Sequence, residues 1–161
     1  METLQINKKD AIKAHEQAGP KSKQFLENLL GKAVFLKLIT ERITCFDDVL
    51  IELNIDKIVF EASCEGLEPD EVAYRKAKLV SKVLNEGWIP DWSNSSEYKY
   101  FPWFNMGSPS GVGFSYHSCD YWAATSIVGS RLAFKSSELA EFAGRLFEQE
   151  IYKPLLTIQQ S

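Results

Sequence analysis

The chain has 161 residues, 45% of them hydrophobic and 25% charged, with a net charge of −4, the balance of an ordinary globular protein long enough to bury a core. The surplus is local: residues 61–98 hold eight acidic and four basic side chains, and no basic tract exists to neutralise a duplex backbone, which excludes strong non-specific nucleic-acid binding. Residues 1–9 lack the apolar stretch of a signal peptide, the longest nearly apolar run (33–39) is too short to span a bilayer, and the three cysteines are too far apart for a disulfide framework. A soluble, cytoplasmic protein with no membrane partner is expected.

Residues 1–65 read as short helices. Asn7 caps the first, with Asp10 three positions on and Ile6 placed as a hydrophobic staple, and Gly19-Pro20 ends it. Ser22 caps a second, in which Phe25, Leu26, Leu29 and Leu30 form one stripe closed by Gly31. The run 33–39 fits a strand or a buried helical turn equally well. Thr44 with Asp47 starts a third helix, carrying Phe46, Val49, Leu50 and Leu53 at helical spacing.

The longest helix is predicted from Pro69 to Glu86. Proline suits a first turn, Asp70 and Glu71 complement the positive end of the helix dipole, and Gly87 supplies a left-handed terminus. Ala73, Ala77, Val80, Val83 and Leu84 share its apolar face. Beyond Trp88 the hydrophobic period changes to two: 99–104, 112–117 and 131–134 read as strands, with a turn-rich segment at 105–111. Pro102 places the first of these at a sheet edge. Ser136 or Ser137 then caps a helix with Leu139, Phe142, Ala143, Leu146, Phe147 and Ile151 on one stripe, ended by Pro154. The expectation is a single α+β domain over 1–161: short helices in 1–65, then a long central helix and a small antiparallel sheet of about three strands packed on a C-terminal helix.

Eleven of the 20 aromatic residues fall between Trp88 and Trp122, while from Lys99 through Phe134 the charged residues are Lys99, Asp120 and Arg131. Such a concentration makes either dense core or a recognition surface. Tyr98, Lys99, Tyr100, Trp103, Tyr116 and Arg131 form the candidate binding set, an aromatic sheet face flanked by two cations on which a base, a sugar ring or a protein side chain can stack. Tyrosines are expected on the wetter face, beside the 105–111 loop. His117 and Cys119, two apart on a strand, pair a base with a nucleophile, but no third ligand or orienting residue accompanies them, so neither a metal nor a cofactor is expected. The run 107–113 offers glycines and hydroxyls to a phosphate without the lysine and helix start that such a loop requires.

Five strings, Leu84-Asn-Glu-Gly-Trp-Ile-Pro-Asp-Trp92, Tyr98-Lys-Tyr-Phe-Pro-Trp-Phe104, Gly113-Phe-Ser-Tyr116, Val128-Gly-Ser-Arg-Leu-Ala-Phe-Lys-Ser136 and Glu138-Leu-Ala-Glu-Phe-Ala-Gly144, cover the C-terminal half. Together they resemble a family of small uncharacterised proteins of bacteriophages, prophages and related mobile elements of gut bacteria. The resemblance implies a mobile-element setting and no particular catalysis. The leading expectation is therefore a non-enzymatic binding module for an unknown protein or small polar ligand. A single-stranded nucleic-acid binder is the alternative, and a small hydrolase or transferase using His117 and Cys119 comes third.

Overall fold

The computed structural model describes residues 6–35, 38–107, 113–125 and 130–157, with side chains at most of them. The run 107–113, Val112 of the second predicted strand and part of 33–39 fall wholly or partly outside the described residues. The chain divides into two compact units, Met1–Leu38 and Ile39–Ser161.

In the first unit, helices α1 (Lys8–Gln17) and α2 (Pro20–Leu30) are joined through Gly19. Gly19, not Ser22, is the N-cap of α2, because Pro20 takes the first helical position, where its missing N–H costs nothing. Gly31 closes α2 with a positive φ of 83°. A 3₁₀ turn, Lys32–Phe35, follows, and the Phe35 ring stacks on His15 at 4.2 Å while His15 Nε2 bonds Glu27 at 3.0 Å.

The second unit begins with the short helices α3 (Ile39–Arg42), α4 (Phe46–Glu52) and α5 (Lys57–Ala62). The cap of α4 lies one residue later than its sequence signal. Asp48 accepts from the Thr44 and Cys45 N–H groups and the Thr44 hydroxyl, which holds its carboxyl below the usual range. Helix α6 (Pro69–Leu84) matches its expected start and buries Ala73, Ala77, Val80, Val83 and Leu84.

Strands β1 (Lys99–Asn105) and β2 (Ser115–Trp122) form a two-stranded antiparallel sheet. The register pairs Tyr100 with Tyr121 and Pro102 with Cys119, then slips between Trp103 and Phe104, leaving His117 as the extra residue of a bulge. The third expected strand is absent. Residues 130–132 make a 3₁₀ turn, and Phe134 alone bridges to Tyr100, exchanging hydrogen bonds of 2.9 and 3.0 Å. Since the Tyr100 N–H points outward from β2, so does the nitrogen of Pro102 two residues on, and no ladder bond is lost there.

Helix α7 (Ser137–Leu146) is capped by the Ser136 hydroxyl, which accepts from the Leu139 N–H. It does not end at Pro154: a π-type turn (Glu148–Tyr152) carries it into α8 (Lys153–Leu156), where proline again occupies a first turn. Leu139, Ala140, Ala143, Phe147 and Ile151 are buried with Phe134, Leu84 and Val80, whereas Phe142 is half-buried and Leu146 exposed. Gly144 sits where α7 crosses the sheet: a Cβ there would stand 2.6 Å from the Tyr116 ring and 2.8 Å from Pro102 Cβ.

Gly144→Ala should therefore lower stability by about 1–3 kcal/mol despite alanine's better helix propensity, because overpacking a crossing outweighs it; a urea midpoint equal to or above wild type would show that α7 stands off the sheet. Burial also raises the Tyr152 and Tyr116 hydroxyls and the Cys119 thiol above their ordinary ranges, with Glu141 adding to the last. Groups raised on folding stabilise fully below their unfolded pKa values, and that stability is lost as pH rises through the thiol and phenol ranges, at up to about 1.4 kcal/mol per pH unit for buried Tyr152. Urea midpoints should fall above about pH 9, and Tyr152→Phe should flatten the fall; an unchanged slope in that variant would contradict the assignment.

Candidate functional site

The expected tyrosine surface is distributed differently from its sequence reading. Strand alternation puts Tyr100, Pro102 and Phe104 on the face that α7 covers, with Tyr116 and Cys119 of β2 beside them. Tyr116 lies under Gly144, with the Arg145 guanidinium 4.5 Å from its ring and its N–H donating to Glu148 at 2.8 Å. Tyr98 is 48% exposed and packs on Tyr121 at 4.4 Å, with Tyr100 next in line at 5.8 Å from Tyr121. Trp103 is 45% exposed on the opposite face. The candidates thus divide between two faces: Tyr98 and Tyr121 are each about half exposed on the tyrosine face, and on the other Trp103 is exposed beside buried Phe101 and Lys99.

Lys99 is the larger departure. Expected as a surface cation, it is 0% exposed. Its ammonium donates to the carbonyls of Asp91, Asn94 (3.1 Å) and Glu97 (2.7 Å), stands 3.2 Å from the Glu97 carboxylate, and lies 5.5 Å from the Trp92 ring centroid. The segment wrapped around it is built of side chains that bond their own backbone. Asp91 accepts from the Ser93 hydroxyl and N–H, and Asn94 accepts from the Ser96 N–H at 2.9 Å. Glu97 accepts from the Asp91 N–H at 2.8 Å and closes the loop. That bond is the main reason its carboxyl lies below the usual range, with Lys99 and the Trp88 side chain adding to it, while the Ser93 hydroxyl is the main cause for Asp91. Loop residues 88–98 are therefore a folded unit, and two indoles, Trp88 and Trp92, are fixed by it.

Those indoles wall a cleft of about 550 Å³, within the usual range for small-molecule sites. Lys78, Ser81 and Lys82 of α6, its C-cap Asn85, and Arg131 and Ala133 also line it. Among the described residues, Lys78, Lys82 and Arg131 have no acidic partner and no acidic residue lines the cleft. The floor is self-satisfied. Ser81 Oγ donates to the Ala133 carbonyl at 2.9 Å, Asn85 Nδ2 donates to the same oxygen at 2.7 Å, and Asn85 Oδ1 accepts from the Lys135 N–H at 2.9 Å. The Trp92 Nε1–H is buried with no acceptor among the described residues.

Arg131 is the one candidate of the original set that borders the cleft. Lys78, Lys82, Trp88 and Trp92 were not in that set. The signal for the lysines was masked: like charges at i and i+4 repel on a helix face, but Glu86 stands four residues after Lys82 as an apparent offset, and in the fold it pairs with Arg42 and Lys135 instead.

The chemistry for catalysis is not assembled at the sheet. His117 is the exposed bulge residue, and Cys119, raised by burial and by Glu141, is held as the neutral thiol and so disfavoured as a nucleophile. Among the described residues no group of three His, Cys, Asp or Glu side chains could hold a metal ion, and no helix is long and apolar enough to cross a membrane. No protein-family model, curated protein or solved structure matches the chain.

Asn85→Ala should cost about 2–4 kcal/mol, since it strands the Lys135 N–H and weakens the hold on the Ala133 carbonyl in a buried position. The check is chemical denaturation, with Lys82→Ala as an exposed control expected within about 0.5 kcal/mol of wild type. Equal effects would mean that the Asn85 clip does not anchor the cleft floor.

Proposed function

We propose that this protein is a non-enzymatic binding module whose ligand seat is the cleft between α6 and the 88–98 loop. The observation that carries the reading is the conjunction around one concavity of two indoles and three cations that have no acidic partner among the described residues, Lys78 lying over the Tyr74 ring. Recognition sites combine apolar, mostly aromatic walls with a few charged groups that set orientation, and this cleft has that composition. The nucleophile and base that the sequence offers, Cys119 and His117, are not among the residues lining the cleft, and burial holds Cys119 as the neutral thiol. The seat differs from the aromatic sheet face first expected, because α7 occupies one side of the sheet and Lys99 is consumed by the loop on the other. The resemblance carried by the sequence of the C-terminal half supports a mobile-element setting, in which the module acts on a small polar ligand or on a partner that presents one.

A protein-observed NMR screen with a library of small polar and aromatic compounds tests the seat. Hits should shift the indole N–H signals of Trp88 and Trp92 and the backbone of Asn85 and Ala133. Shifts confined to Tyr98, Tyr100 and Tyr121, or none at all, would overturn the assignment of the cleft.

A further inference from the structure

Resting on the cleft as the seat, we infer that its ligand is a nucleotide unit, an aromatic base bearing a phosphate, bound without discrimination among bases. Three features lead there. The first is charge. In a chain of net −4, Lys78, Lys82 and Arg131 border one cleft with no acidic partner among the described residues. Lys78 and Lys82 stand one helical turn apart, an arrangement that weakens the isolated helix, and a bound anion relieves it. Arginine adds a planar fork suited to phosphate oxygens.

The second is ring area. Trp88 and Trp92 are the largest stacking surfaces a protein can offer, and the 88–98 loop holds both beside the cations. An anion alone has no use for them, and a neutral ring leaves the cations unanswered. A ligand that carries both a ring and a negative group uses the whole cleft, and about 550 Å³ holds one such unit.

The third feature sets selectivity. Base identity is read by hydrogen bonds to ring edges, and of the neutral polar side chains lining the cleft Ser81 and Asn85 are already committed, while the Trp92 indole N–H, without an acceptor among the described residues, is buried. Ser81 donates to Ala133, and both ends of the Asn85 amide are used within the protein. Stacking and phosphate contact remain, and both tolerate any base. The same chemistry comes from two sources, a free nucleotide or one unit of a single strand.

The experiment is fluorescence titration of the full chain, following tryptophan, with adenosine monophosphate, thymidine monophosphate, adenosine, inorganic phosphate and an oligothymidylate of about ten nucleotides. The two monophosphates should bind within about fivefold of each other, while adenosine and phosphate alone should each bind at least about tenfold more weakly, a difference of about 1.4 kcal/mol. Lys82→Gln and Arg131→Gln, both at exposed positions, should bring the monophosphate down to the affinity of adenosine without changing adenosine binding. Tighter binding of the oligonucleotide with a steeper salt dependence identifies a strand as the source, and equal affinity identifies the free nucleotide. Adenosine binding as tightly as its monophosphate, or a preference for one base beyond about a hundredfold, would overturn this inference and leave the cleft as a seat for neutral rings. No quenching by any probe, with no shift at the Trp88 and Trp92 indoles, would remove the seat itself.

Discussion

An ammonium group removed from water loses several kcal/mol of hydration, and a protein recovers that only by surrounding it with well-placed acceptors. Lys99 is surrounded in this way. Three carbonyls spaced along 91–97, one carboxylate and one indole face enclose it. The acceptors come from a segment with no regular secondary structure, so the lysine acts as the internal cation around which that segment folds. Carbonyls that would otherwise face one another converge because a positive charge sits between them. Trp88 and Trp92 take their places from this arrangement, through Glu97 and through the ammonium itself.

The rest of the second unit supports that knot from two directions. On the far face of the sheet, α7 crosses at Gly144 and presses Tyr116 and Pro102 into place, and Phe104 stacks between Phe114 and Tyr152 at 5.0 and 4.8 Å. Beside β1, Ser81 of α6 and its C-cap Asn85 clamp the Ala133 carbonyl, and Phe134 bridges to Tyr100. The cleft is thereby bounded by one helix, one clamped segment and one loop knotted to the sheet. Acidification bears on the loop. Asp91 and Glu97 are held below the ordinary carboxylate range by bonds within the loop, so their contribution is present above that range and lost as pH falls through their lowered values.

What could be read from the sequence follows a physical division. Helix α6 announced its start because Pro69, Asp70 and Glu71 act locally, and α7 did so through the Ser136 cap. Local signals failed where tertiary partners decide. The stretch ending at Phe134 alternates like a strand, yet the Asn85 and Ser81 clip binds Ala133 and leaves room for one bridge. Helix α5 went unseen because its apolar Ile58 and Val59 face outward and give no amphipathic stripe. Lys99 was read as a surface charge because lysine is almost never fully buried, and only the loop's carbonyls, invisible in side-chain patterns, reverse that expectation. The candidate site suffered for the same reason. Arg131 was legible, but Lys78 and Lys82 meet Trp88 and Trp92 only after the chain turns at Gly87, whose φ is 87°.

Amide hydrogen exchange on Lys99→Met tests the central claim most directly, because methionine keeps the length of the side chain and removes only the charge. With Lys99 as the internal cation of the loop, the amides of Asp91, Asn94 and Glu97, bonded in the wild type to Glu97, Asp91 and Asn94, lose their protection while those of α6 and α7 keep theirs. Unchanged protection at these three amides would show that the loop folds without the lysine, and the account of the cleft as a structure set by one buried ammonium would be wrong.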